Sequence, residues 1–468
     1  MKRFVTPENK KWWTLAAVSV GLFMIMLDNT VVNVALPSIR RSLGMSLEGL
    51  EWVVAGYALT FAAFMLIGGK LADFFGRRLI FMVGLTVFTG ASLACGLAPN
   101  GGFLIGARVV QGLGGAMMNP ATLSIITATF PPRERGRAIG IWAGVSAMAL
   151  AIGPLVGGLL TEHVNWNWIF FVNVPFGIAG LFSIPIFIDE SRDESAEQRL
   201  DLPGLVASAV GLFSLTYAFI EANNYGWSST RILGAFAVAA VALVVFVLLE
   251  RHQRAPMLDL SLFKNRTFSG ANGSMLFVGL AMFGTFFYVS LYMQNVLGYS
   301  PVQAGASFLP TTVLIILIAP RAGALTDKVG SRWLVGGGMT LLAGMLFYYT
   351  QLGAHESFWA LLPGLLLGGA GMGLTMTPTT AAAMSAVAVD KAGVGSAVLN
   401  SARQVGGSLG IAIMGSIVVG SSSYLVGFHD ALRVGSLLCL VGAGVAVTAI
   451  RKIEHAHAPQ PTPAVEAA

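Results

Sequence analysis

Asp28 is the residue of this chain best suited to chemistry. It stands in Leu27-Asp28-Asn29-Thr30, inside an apolar run that begins near Trp12. If that run is a helix crossing a bilayer, a rise of about 1.5 Å per residue sets the carboxylate a little beyond the bilayer middle. An acid at that depth costs about 2.5–3.5 kcal/mol to insert and marks a functional site by default. The chemistry open to it is the uptake and release of protons. Asn29 and Asn33 lie one turn apart, and with Asp28 they spread a polar arc of about 140° at ~100° per residue. They are candidate polar groups for a cavity, and the competing reading is polar glue between helices. Arg108 opens Arg108-Val109-Val110-Gln111-Gly112, and Arg108 and Gln111 share a helix face. A guanidinium inside a span faces a wet cavity, finds a partner, or snorkels to the headgroups. Asp28 is a candidate partner.

A second group of residues reads as mechanical. The segment Gly69-Lys70-Leu71-Ala72-Asp73-Phe74-Phe75-Gly76-Arg77-Arg78 is echoed by Gly323-Ala324-Leu325-Thr326-Asp327-Lys328-Val329-Gly330-Ser331-Arg332, in one G-x-L-x-D-x-x-G-x-R frame. Gly69 and Gly76 permit a tight turn. Asp73 and Arg77, with Asp327 and Arg332 in the second copy, are candidates for ion pairs that lock loops in one state. Simple topology anchoring by Lys70 and Arg78 is the alternative. Pro120 and Pro378, each after a Gly-rich stretch, make a further echo. Gly144, Gly153, Pro154, Gly157 and Gly158 crowd one later span. There the proline removes a backbone bond and glycines admit a close neighbour. A thin, kinked helix of that kind suits a gate, and equally suits plain close packing.

Several chemistries are absent from the pattern. The six histidines show no metal spacing. No G-x-x-x-x-G-K-[ST] occurs, so a phosphate-binding loop driven by ATP is not expected. No nucleophile–base constellation points to an enzyme. Cys95 and Cys439 sit in apolar runs as packing residues. The 19 methionines read as gap fillers before they read as a binding surface. Glu221, near Tyr225 and Trp227, reads as interfacial, and Arg403 beside Gln404 is suggestive without forming a pattern.

The elements that must position these residues follow from composition. Of 468 residues, 55% are hydrophobic and 11% charged, and the mean hydropathy is +0.74. Soluble chains carry roughly 25% charged residues, so a water-soluble enzyme is excluded. Disorder is excluded with it. An outer-membrane barrel would need short alternating segments, whereas these apolar runs are long and unbroken. The fold class is therefore an all-α polytopic membrane protein. Fourteen candidate spans run from 12–36 to 431–450, and the last two, 393–417 and 431–450, are the most diluted by Gly and Ser. The N-terminal run is expected to be retained as the first span, since no small-residue cleavage site follows it. The net charge of +6 does not imply nucleic acid, because the basic residues are parcelled out between apolar runs. With the N-terminus in the cytoplasm, inside loops collect 22 of the 28 basic residues and outside loops only Arg40, Arg41, Arg231 and Arg433. Both termini are then cytoplasmic. Eight spans separate the two loop motifs, where two six-helix halves would give six. The expected layout is a six-helix bundle over 1–200, two inserted central helices with linkers over 201–265, a second six-helix bundle over 266–452, and a disordered cytoplasmic tail over 453–468.

At these motifs the chain resembles the major facilitator superfamily, and within it the fourteen-span drug:proton antiporter branch of the EmrB/QacA type. Leu27 to Pro37 is similar to the branch's first-span signature, Gly69 to Arg78 to the superfamily loop motif, and Arg108 to Gly112 to the fourth-span motif. Gly153 to Gly158 resembles the fifth-span exporter motif, and Trp168 to Pro175 is similar to a stretch typical of the branch. The resemblance implies a major facilitator fold, Asp28 and Arg108 as proton-coupling residues, and Gly153, Pro154, Gly157 and Gly158 as the exporter motif. It implies a proton gradient as the energy source with no cofactor, amphipathic small molecules as substrates, and a place in the cytoplasmic membrane; a periplasmic adaptor is left open. No acid stands in the tenth span before Asp327, which counts against dicationic substrates. Two other classes stay open: a dedicated exporter of one physiological metabolite, such as a siderophore or self-made antibiotic, and a non-transporting membrane receptor.

Overall fold

A computed structural model describes residues 7–192, 200–253, 256–388 and 391–451. The expected tail at 453–468 and the side chain of Asp327 lie outside the described residues. The described chain is helical from end to end. Its first part holds α1 (Pro7–Leu43), α2 (Leu47–Phe75), α3 (Arg77–Gly96), α4 (Gly101–Thr129), α5 (Pro132–His163), α6 (Trp168–Phe171) and α7 (Asn173–Phe187). Then come α8 (Leu202–Tyr225), α9 (Thr230–His252), α10 (Arg266–Asn295), α11 (Pro301–Ser307) and α12 (Leu309–Val329). The chain closes with α13 (Ser331–Tyr349), α14 (Phe358–Ser385), α15 (Ala392–Val419) and α16 (Tyr424–Ala449).

Short polar links start these helices. Ser46, Asn100, Asp201, Ser229 and Ser423 each accept a backbone N–H of the first turn, and Ser300 with Gln303 forms a reciprocal capping box. Among the described residues, twelve helical segments are long and apolar enough to cross a membrane, with α6–α7 and α11–α12 each counted as one. The sequence reading expects fourteen. The two that fall short are α4 and α13, not the late spans, which pass as α15 and α16. The reason is composition: α4 carries Arg108, Gln111, Asn119, Pro120 and several glycines, and α13 carries Arg332, Gly336-Gly337-Gly338 and two tyrosines.

Those same glycines let the helices approach closely. In α4, a Cβ on Gly112 would press on the Tyr57 carbonyl of α2 at 2.5 Å, and one on Gly114 on the Phe88 backbone of α3 at 2.5 Å. In α13 and α14, Gly338 and Gly371 meet in the same way. Packing then repeats along the chain. α1 lies against α5, and α2 and α3 both lie against α4; later, α10 lies against α15, and α12 and α13 both lie against α14. The two groups meet through α2 on α15, α5 on α11 and α12, and α1 on α10. α8 and α9 stand outside this arrangement: they pack on each other, and α8 rests on the α2–α15 seam. Asn223 of α8 donates to the Ser416 carbonyl of α15 at 2.6 Å. α9 turns Leu233, Val238, Val241 and Val244 outward, as a lipid-facing helix would.

The turns that carry the repeated loop motif are alike. Gly76 between α2 and α3 has φ +117°, and Gly330 between α12 and α13 has φ +89°. Both values favour glycine.

Candidate functional site

Asp28 and Arg108 meet. Asp28 comes from α1 and is fully buried; Arg108 comes from α4 and is 1% exposed, so it does not snorkel. Arg108 Nη1 donates to Asp28 Oδ2 at 2.5 Å and to Gln111 Oε1 at 2.7 Å, and its Nε donates to the Val53 carbonyl at 3.0 Å. Gln111 Nε2 donates to Asp28 Oδ1 and to Ser92 Oγ, both at 2.9 Å. The Arg108 guanidinium lies over the Tyr57 ring, 4.2 Å from its centroid, a cation–π contact. Four helices thus close on one ion pair. The pair is electrically neutral as a unit, and breaking it would strand a buried charge.

The other predicted polar candidates go elsewhere. Asn29 and Asn33 donate back to the carbonyls of Ile25 and Asn29 in α1 itself, a turn away, and neither lines the central cavity. Gln111 belongs to the ion-pair cluster and does not line it either. This corrects the expectation that the three form cavity walls: the arc around Asp28 is rotated away from the cavity, and Thr30, between Asn29 and Asn33, faces it instead.

That cavity measures about 300 Å³ and lies between the two groups of helices. Five of its lining residues are methionines: Met26, Met275, Met282, Met372 and Met376. Some of the methionines expected as gap fillers therefore line a cavity. A smaller hollow of about 120 Å³ adjoins it and shares Asn119, Trp142 and Ser396. Lys70 and Asp73 line that hollow, so the space leads toward the α2–α3 turn.

The opposite end is shut. Tyr288 of α10 donates to Glu51 of α2 at 2.9 Å, and Ser290 and Gln294 of α10 donate to the Asn33 and Val34 carbonyls of α1 at 3.1 and 2.9 Å. The Val302 amide of α11 donates to Glu162 of α5 at 2.8 Å. The motif in α5 lies along this seal. Gly157 packs on the Val31 carbonyl of α1 at 2.5 Å from a Cβ position, Gly153 on Thr30, and Gly158 on the Pro301 carbonyl of α11. Gly305 of α11 meets the Pro154 carbonyl in return. Gly144 does not share this role, since a Cβ there would meet open space.

In the loop motif, Arg77 Nη2 pairs with Asp73 Oδ1 at 3.0 Å within one helical turn, and Arg78 reaches Glu190 beyond α7 at 3.7 Å. Gly69 packs against Pro120 of α4 at 3.6 Å from a Cβ position. Arg332 of the second copy lies over the adjacent Trp333 ring at 4.8 Å. On the same side of the molecule, Lys391 binds Asp259 at 2.7 Å, and with Ser261 it holds that carboxyl down at about 2.

Tyr57, Ser92, Glu51 and Tyr288 were not singled out from sequence. An aromatic or a serine in an apolar span carries no spacing signal, but Glu51, an acid within a candidate span, did carry one. Tyr57 stands within electrostatic range of Asp28, Arg108 and Arg403.

Fold and site together define a polytopic membrane protein with an ion pair buried beside a central cavity. The chain belongs to the Major Facilitator Superfamily, whose profile matches residues 18–411. It is similar to the multidrug resistance protein Stp of Mycobacterium tuberculosis, with 39% identity over 408 residues covering 86% of this chain and 75% of that protein. It is also similar to the tetracenomycin C resistance and export protein of Streptomyces glaucescens, at 37% identity over 88% of this chain and 76% of that one. In fold it matches a bacterial homologue of the human lysosomal transporter Spinster in an inward-facing, unoccupied conformation. That match has a TM-score of 0.65 at 19% identity, over 95% of this chain and 98% of the other.

Proposed function

We propose that the protein exports amphipathic drugs or toxic compounds across the cytoplasmic membrane in exchange for protons, by alternating access. The observation that carries this reading is the neutral Asp28–Arg108 pair, buried beside a cavity whose far end is closed by hydrogen bonds between the two helix groups. A proton placed on Asp28 would leave Arg108 as an unpaired buried cation, which is costly. Proton uptake must then be accompanied by a rearrangement that gives Arg108 new partners or water. Because α1 carries both Asp28 and the cavity residues Met26 and Thr30, such a rearrangement would move the cavity wall. The methionine-rich lining suits ligands of varied shape. The names of the Stp and tetracenomycin relatives support drug export as the task.

In this reading the open end is cytoplasmic, as the excess of Lys and Arg around the α2–α3 and α12–α13 turns supports. α4 and α13 also cross the bilayer, giving fourteen spans with both termini inside, in keeping with the EmrB/QacA-type branch. Each is long enough, at 29 and 19 residues, and each packs between helices that cross. A membrane potential of 100 mV supplies about 2.3 kcal/mol per proton charge, enough for modest uphill export.

The test is ethidium accumulation in cells with and without the protein, before and after collapse of the gradient, together with drug-dependent proton flux in proteoliposomes. Asp28→Asn is expected to abolish coupled flux while the protein stays folded. Full coupled flux in that variant would remove Asp28 from the mechanism.

A further inference from the structure

Arg403 is a second buried cation, and the ion-pair cluster does not use it. It lies on α15, is 9% exposed, and lines the central cavity. Its Nε has no hydrogen-bond partner, and no ion pair to it exists among the described residues. No aspartate or glutamate stands among the described cavity lining, so Arg403 is the charge that the cavity presents. Gln404, its neighbour in the chain, is 1% exposed with both amide atoms unpaired. Around Arg403 the wall supplies what an amphipathic ligand would need. Trp142, Phe286 and the methionines offer apolar surface, while Asn400, one turn before Arg403 on α15, and Thr377 of α14 offer polar atoms.

A guanidinium that is nine-tenths buried, lines a cavity and has no ion pair among the described residues is poised for a ligand oxyanion, because its planar fork matches carboxylate and sulfonate geometry. We propose that Arg403 is the anion-recognition group of the cavity, and that amphipathic organic anions are a favoured ligand class. The proposal deepens the export reading by assigning a charge preference to its substrate site. The contrast with Arg108 defines the role. Arg108 already has Asp28 as its counter-ion in this structure, whereas Arg403 receives one only when ligand binds.

The experiment is equilibrium binding to purified protein in phosphatidylcholine nanodiscs, with empty discs subtracted and no gradient present. The probes share one ring body: 1-anilinonaphthalene-8-sulfonate is anionic and N-phenyl-1-naphthylamine is neutral. The native protein should bind the sulfonate at least about tenfold more tightly than the neutral probe. Arg403→Gln should remove that difference by weakening the sulfonate far more than the neutral probe, while Arg403→Lys should keep part of it. Equal affinity for the two probes in the native protein would overturn the proposal. So would an equal loss of both in Arg403→Gln, which marks a structural role. If phosphatidylglycerol in the discs displaces the sulfonate in an Arg403-dependent way, the occupant is a lipid headgroup and the proposal also falls. Since the assay needs no transport, gradient-dependent ethidium export without anion preference would sink this inference and leave the export reading standing.

Discussion

At the scale of single residues, what matters is who supplies the second hydrogen bond. Asp28 has two oxygens, and only one goes to Arg108; the other is held by Gln111, which also spans to Ser92. Gln111 is therefore the bracket that fixes the carboxylate's orientation. Replacing it by leucine leaves Asp28 Oδ1 and Ser92 Oγ buried without that donor, a cost of about 1–3 kcal/mol. Gln111→Leu is expected to lower the thermal unfolding midpoint in detergent and to move the pH dependence of transport. An unchanged midpoint together with an unchanged pH profile would show that Gln111 only fills space.

At the scale of elements, α5 shows why glycine spacing and proline occur together. Gly153 and Gly157 set it against α1, while Gly158 sets it against α11 of the other group, so one helix face serves two neighbours. Gly305 of α11 completes the contact at the Pro154 carbonyl. Side chains on Gly158 or Gly305 would collide with backbone, which cannot yield as a flexible side chain does. Gly158→Leu should wedge the sealed end apart and make Asn33→Cys, placed as a reporter, react with a membrane-impermeant thiol reagent added from that side. Protection equal to that of the unwedged reporter would show that α5–α11 packing is not the seal. Gly144, which meets no neighbour, is the control: Gly144→Ala should leave reporter protection as it was.

At the scale of the whole molecule, the two helix groups are bound tightly at one end and parted by the cavity toward the other. The bonds from α10 to α1 and α2, with Glu162 to α11, all lie at the shut end. Under the proposed alternating access, interconversion would break these and make a comparable set near the α2–α3 and α12–α13 turns. Thr380→Cys, on the open part of the cavity, should therefore label from the α2–α3 side and be protected from the opposite side. Tyr288→Phe, which leaves Glu51 without that donor, should increase labelling from the opposite side. If both cysteine faces label equally in the unmodified background, the shut end is not shut in the membrane. α8 and α9 lie outside these contacts, and α8 touches both α2 and α15 at the seam.

Much of this was legible in the chain because the bilayer imposes harsh rules on sequence. Long apolar runs, basic loops and a repeated ten-residue frame declare the helices, since unsatisfied backbone and stray charge are both expensive in lipid. Asp28 and Arg108 stood out for the same reason, and their partnership is a matter of two charges needing each other. What the sequence misjudged was direction. Asn29, Asn33 and Gln111 are polar and well placed along their helices, yet helix rotation turns them from the cavity, whereas Arg403 and five methionines face it. Which side of a helix meets which neighbour depends on contacts between residues hundreds of positions apart, such as Tyr288 with Glu51. Only the folded arrangement brings those together, and so only tertiary structure decided where the cavity is and which cation lines it.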